Sequence, residues 1–203
     1  EVYGEVVRAM ARAGGENPGI TMPVLSGRKT IAMHSMSTRR RMRAGELVTV
    51  DVCGVRHRYH VNAARTFSLG EPAADVLDVA TRGAASIDVV RALLRPGLGF
   101  RELGDALRAY YEEQGLWTSR GWIGGYEMGL AFPPDWVGAT VWDPLEDRNA
   151  HRVFAPGTCV NCETQVFLPR QVGQLFVVDS LLFEEAAARI LSDVPAALQV
   201  LGA

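Results

Sequence analysis

Apolar positions recur along the chain with two different periods. In "EVYGEVVRAMARAGG", Val2, Val6, Val7 and Met10 fall at helical spacing and the run stops at Gly14-Gly15, so a helix is predicted over 1–13. "ENPGITMPVLSG" reads as a loop entering a strand, and "RKTIAMHS" as another short strand. "ELVTVDVCGV" and "RYHVNAARTFSLG" are β-branched or alternating, which predicts two strands joined by a tight basic turn. The period then lengthens. Val76, Leu77, Ala80, Ala84, Ile87 and Val90 recur at helical spacing between Glu71-Pro72 and Pro96-Gly97, and "GFRELGDALRAYYEEQGL" predicts a second helix closing at Gly115. "GWIGGYEMGLAFPPDW" is Gly-rich, with a strand-like centre and a Pro-Pro turn. "HRVFAPGTCVNCETQVFL" and "QLFVVDSLLFEE" predict the last two strands, with a short helix near 194–200. Helix, strands, two helices and strands in that order imply an α+β fold, a curved antiparallel sheet backed by helices. One domain is expected over 1–203.

Composition narrows the classes. With 203 residues, 48% hydrophobic and 22% charged, the chain suits a globular domain with a sizeable core. A net charge of −2 gives no general case for nucleic acid or an anionic membrane as partner. The one basic run, Arg39-Arg40-Arg41 with Arg43, reads as a solvated loop or a local carboxylate partner. Three cysteines cannot build a disulfide framework, which points to a reducing, cytoplasmic setting. Cys159 and Cys162 form a CxxC, but in a strand a spacing of three sends them to opposite faces, and no second zinc-like pair accompanies them. No apolar run is long enough to span a bilayer and no leader is visible. A start inside a helix suggests that further chain precedes residue 1.

Polar residues inside apolar strands are the informative ones, because buried polar groups need partners. Asp51 in "VTVDV", Asn62 in "YHVNAA", Tyr126 in "GGYEMG", Glu163 in "VNCETQV" and Asp179 in "FVVDSLL" all sit this way, with His34 in "IAMHSM" as a sixth. Each alone has a structural explanation; together they outline a site.

These blocks also carry a resemblance. "HSMSTRRRMRAGELVTVDVCGVRHRYHVNAARTFSLG", "GGYEMGLAFPPDW", "PGTCVNCETQVF" and "FVVDSLLF" resemble, in order and spacing, the catalytic-domain blocks of the creatinase and aminopeptidase superfamily. The resemblance implies the pita-bread fold. It also implies a preceding N-terminal domain in full-length members, and a homodimer whose pockets borrow residues from the neighbour. Metal-dependent members use five ligands, at positions that map to Asp51, Asn62, Tyr126, Glu163 and Asp179. Asp51 and Glu163 keep the family's ligand type. Asn62 offers a neutral oxygen, Tyr126 a phenol in place of imidazole, and Asp179 a shorter acid. Two close divalent ions need anionic bridges, so the resemblance as it stands implies a site without metal.

Within the superfamily, "GYEMGLAFPPDW" is similar to the corresponding block of metal-independent, ectoine hydrolase-like and creatinase-like members. That implies hydrolysis of a C–N bond in a small amidine-, guanidine- or amide-containing substrate, with no cofactor. His34 would act as general base and then acid, and Glu163 would bind the cationic group. Asp51, Asn62, Tyr126 and Asp179 would line the pocket. Arg65 would pair a buried acid or a substrate carboxylate, and Trp136 would wall the pocket or join the core. Two alternatives stay open: a metal-dependent Xaa-Pro-type aminopeptidase using Mn, Co or Zn, and a non-catalytic module binding a peptide or partner.

Overall fold

The computed structural model describes residues 1–131 and 141–202. Among them the elements run α1 (Val2–Arg12), β1 (Val24–Ser26), a 3-10 helix (Gly27–Ile31), β2 (Leu47–Arg56) and β3 (Tyr59–Leu69). Then come α2 (Ala74–Ala84), α3 (Ser86–Leu93), α4 (Phe100–Glu113), β4 (Arg120–Tyr126) and β5 (Val141–Trp142). β6 (Cys159–Phe167), a 3-10 turn (Pro169–Gln171), β7 (Gln174–Phe183), β8 (Ala188–Ile190) and β9 (Gln199–Leu201) complete the chain. The strands follow the order β1-β2-β3-β7-β6-β4-β5, with β8 on β7 and β9 on β3. Every pairing is antiparallel except β3 with β9. This is the α+β arrangement the periodicity predicts.

The β2–β3 hairpin turns through His57 and Arg58, both at positive φ (51° and 62°), the mirror-image turn that matches strand twist. Neither residue is the glycine such a turn favours, and Glu16 compensates: its carboxylate accepts the N–H groups of His57 (2.5 Å) and Arg58 (3.2 Å). Helices α2, α3 and α4 cover one face of the sheet. Val76, Ala80 and Tyr111 pack on Ile123, Val166, Leu175 and Val177, and Ile87, Val90 and Leu107 on Val160, Cys162, Leu181 and Phe183. Gly83 permits this approach, because a Cβ there would lie 2.9 Å from both Leu175 and Val166 side chains. Cys159 lies in a separate cluster with Met22, Cys53, Val55 and Met128, so the two CxxC sulfurs do occupy opposite faces. All three thiols are free and buried.

Three expectations need correction. Residues 72–95 form two helices rather than one, since buried Ser86 donates its hydroxyl to the Gly83 carbonyl, diverting it from the helical ladder. "RKTIAMHS" is a 3-10 helix and turn, not a strand: Gly27 (φ 60°) and His34 (φ 65°) take left-handed conformations, and Thr30 caps the Gly27 carbonyl. The stretch near 194–200 is not a helix. The Arg65 side chain takes the carbonyls of Val194 and Pro195, which a helix would need as acceptors, and Gln199–Leu201 pairs with β3 instead. The Pro-Pro turn lies outside the described residues. Among the described residues no helix is long and apolar enough to cross a membrane.

Candidate active site on the face opposite the helices

Ladder register determines which side chains share a face, because directly paired residues point the same way. Asp51 pairs with Ala64, Ala64 with Val178, Val178 with Glu163, and Glu163 with Gly124. Asp51 and Glu163 therefore stand in one row, on the side away from the helices. The next row begins with Cys53 opposite Asn62. The Asn62 N–H donates to Ser180 Oγ (2.9 Å), and that hydroxyl donates to the Asn62 carbonyl (2.9 Å). Ser180 pairs with Asn161, whose Oδ1 accepts the Tyr126 N–H at 2.7 Å. Gly125 makes the last contact possible, since a Cβ there would meet the Asn161 carbonyl at 1.8 Å. Asp51, Asn62, Tyr126 and Glu163 are thus brought together by five adjacent strands.

The two acids are buried, at 9% and 8% exposure, and no Lys or Arg among the described residues pairs with either. Burial pushes the Asp51 carboxyl up to about 7. Burial, then the charge of Asp51, pushes Glu163 up to about 7 as well, against hydrogen bonds from Tyr126 and Asn161. Asn161 Nδ2 donates to Glu163 Oε1 at 2.7 Å. Burial and then the negative charge of Glu163 hold the Tyr126 phenol far above its usual range, so Tyr126 is a neutral donor. Trp122 stacks on it with ring centroids 6.1 Å apart. Asn62 Oδ1 is buried and accepts no hydrogen bond from the described residues.

Other expected site residues fall elsewhere. Asp179 is one residue out of register with the site: it pairs with Cys162 on the helix-covered face, and Val178 takes the place beside Glu163. Arg65 faces the same way and donates to Asp179 Oδ1 at 2.8 Å, and also to the Ala64 and Val178 carbonyls, both at 2.8 Å. With Val194, Pro195 and Ser192 also bound, its donors are committed to structure rather than to a substrate carboxylate. His34 is exposed on its left-handed turn, while neighbouring Met33 packs on Ala64, Phe176 and Val178. That contact sets the His34 backbone at the rim of the acid-bearing face without bringing its side chain to the acids. Trp136 lies outside the described residues. Asn161 and Ser180 are site residues that pattern reading missed. Asn161 was within reach of it, being two positions from Glu163 in a strand and therefore on the same face.

The basic run is not part of this site. Arg40 pairs with Glu46 and binds Ser26, beside a groove of about 610 Å³ along β1 lined also by Lys29, Arg39 and Arg41.

The sequence profile of metallopeptidase family M24 matches residues 1–194. The chain belongs to this family. Among its relatives is ectoine hydrolase of Halomonas elongata, 26% identical over 187 residues, covering 92% of this chain and 45% of the relative. Another is an Xaa-Pro dipeptidase of Pyrococcus furiosus, 23% identical over 195 residues, covering 95% and 53%. The X-Pro aminopeptidase of Thermotoga maritima superimposes with a TM-score of 0.81 at 18% identity, over 96% of this chain and 53% of that one. The prolidase of P. furiosus gives 0.76 at 21%, over 95% and 55%. These likenesses establish the pita-bread fold of the M24 family. The chain spans about half the length of the relatives it matches.

The family name implies metal, so the residues present can be tested against one. A pair of divalent ions needs several anionic or imidazole donors converging. Along this face the five positions carry Asp51, Asn62, Tyr126, Glu163 and, by register, Val178. Tyr126 offers a phenol in place of an imidazole, one Glu163 oxygen accepts from Asn161, and Val178 offers no donor atom. Among the described residues no group of three or more His, Cys, Asp or Glu converges to hold an ion. The donor set does not fit a two-metal centre.

Proposed function

We propose that this M24-family chain is a hydrolase domain that cleaves a C–N bond in a small amidine-, guanidine- or amide-containing substrate without a metal ion. The observation that carries the reading is the pair Asp51 and Glu163, two buried acids on one face that no Lys or Arg among the described residues pairs with. Burying such a pair is costly unless something positive joins it, and an organic cation supplies both the charge and the N–H donors. Tyr126 and Asn161 hold Glu163 in place as neutral donors. In the reaction, water adds to the carbon of the bound group while its proton passes to a base. The C–N bond then breaks, and the departing nitrogen takes that proton. His34, at the rim beside Met33, is the base in this scheme.

A second reading is favoured by the family name and by the dipeptidases among the relatives: a metal-dependent peptidase acting on Xaa-Pro substrates. One assay separates the two. Hydrolysis of a panel of small guanidines, amidines, amides and Xaa-Pro dipeptides is followed with a chelator present and with Mn, Co or Zn added. The proposal expects turnover of a cationic substrate that survives the chelator and falls roughly 10²–10⁴-fold in His34→Ala. Turnover that appears only with added metal would overturn it.

A further inference from the structure

Resting on the proposed cation site, we infer that Asn62 is a specificity residue whose amide oxygen reads a third N–H of the bound cation, selecting an open-chain guanidinium over a cyclic amidinium.

Asn62 Oδ1 is buried without a donor among the described residues. The Asn62 backbone is held in place, because Ser180 Oγ bonds both its N–H and its carbonyl at 2.9 Å. The donors around it bond elsewhere. One Asn161 amide N–H goes to Glu163, the Tyr126 hydroxyl also bonds Glu163, and the Ser180 hydroxyl bonds the Asn62 carbonyl. Across β2, the paired residue is Cys53, a buried thiol and a weak donor. The face therefore presents three acceptors, the Asp51 and Glu163 carboxylates and Asn62 Oδ1, beside the N–H pair of the Asn62 amide itself.

Such a set suits a ligand that brings several donors. The amide adds an acceptor without adding a third negative charge, which suits a monocation better than a divalent ion. A monosubstituted guanidinium carries N–H groups on all three nitrogens and can meet acceptors arriving from different strands. A cyclic amidinium carries two N–H groups and would leave Oδ1 unpaired. Rejection of a ligand that strands a buried polar group is the strong kind of discrimination.

The test is titration calorimetry of the full chain at pH 8 with methylguanidinium and with 2-methylimidazolinium, comparing wild type with Asn62→Leu. The wild type should bind methylguanidinium roughly tenfold or more tightly than the cyclic cation. Asn62→Leu should lose that preference by weakening methylguanidinium alone, while its Tm stays level or rises because an orphaned acceptor has gone. A wild type with no preference, or a preference unchanged in Asn62→Leu, overturns the role of Asn62 and leaves the cation site standing. Binding of Mn²⁺ with neither organic cation bound overturns the cation site and this inference with it. If Asn62→Leu does not fold, Asn62→Ala gives the same comparison.

Discussion

Replacing Asp51 with Asn should stabilise the free protein at alkaline pH, and the size of the gain follows from the site. Asp51 is raised from 3.8 to about 7 by burial, with no Lys or Arg among the described residues paired to it. The folded state therefore binds a proton more tightly than the unfolded chain does. Stability from this group is complete below about pH 4, falls as pH rises through the folded value, and has gone above it. A shift of roughly three pH units corresponds to about 4 kcal/mol lost between pH 4 and pH 8. Glu163 is raised over the same range, partly by the charge of Asp51, so the two lose protons in successive steps and their costs overlap rather than add. Asp51→Asn removes one charge and relieves its neighbour while keeping the side chain's shape. Urea denaturation should find the variant about 2–4 kcal/mol more stable than wild type at pH 8, or roughly 5–15 °C higher in Tm. At pH 4 the two proteins should match. Substrate binding should be lost in the variant despite its greater stability. A variant less stable than wild type at pH 8, or with the same pH slope, would refute the claim that Asp51 lacks a cationic partner.

Other outcomes follow from the same geometry. His34→Ala should leave Tm unchanged, since the side chain is exposed, while kcat falls and KM holds; a loss of stability would place His34 in the core. Arg65→Met should cost about 3–5 kcal/mol in urea denaturation by leaving Asp179 buried and unpaired. The double variant with Asp179→Leu should recover part of that loss, and no recovery would mean that the carbonyl bonds of Arg65 matter more than its charge. Gly125→Ala should destabilise by more than about 3 kcal/mol, measured the same way, because its Cβ would collide with the Asn161 carbonyl. A folded Gly125→Ala protein with normal activity would contradict the close approach of β4 to β6.

Much of the fold is legible in the periodicity of the chain, because alternation in β2 and β3 and helical spacing in α4 act locally. What was not legible depended on distant partners. The break at Ala85 arises from Ser86 bonding back to Gly83, and the missing helix near 194–200 from Arg65, which lies some 130 positions away. For the site, Asp51 and Glu163 could be found as acids in apolar strands. Asp179 could not be placed correctly from sequence. With a side-chain period of two, an error of one residue exchanges the faces, and only the pairing of Val178 with Glu163 reveals it. Asn62 and Ser180 were equally hidden as a unit, since the hydroxyl that fixes Asn62 comes from another strand.

The central claim is that this M24 site holds an organic cation between two acids instead of a metal pair. Elemental analysis of the purified chain, combined with calorimetry using Mn²⁺, Zn²⁺ and methylguanidinium at pH 8, tests it most directly. The account predicts metal far below one equivalent per chain and heat of binding from the guanidinium alone, abolished in Glu163→Gln. Near-stoichiometric metal that Glu163→Gln releases, with no guanidinium binding, would contradict it.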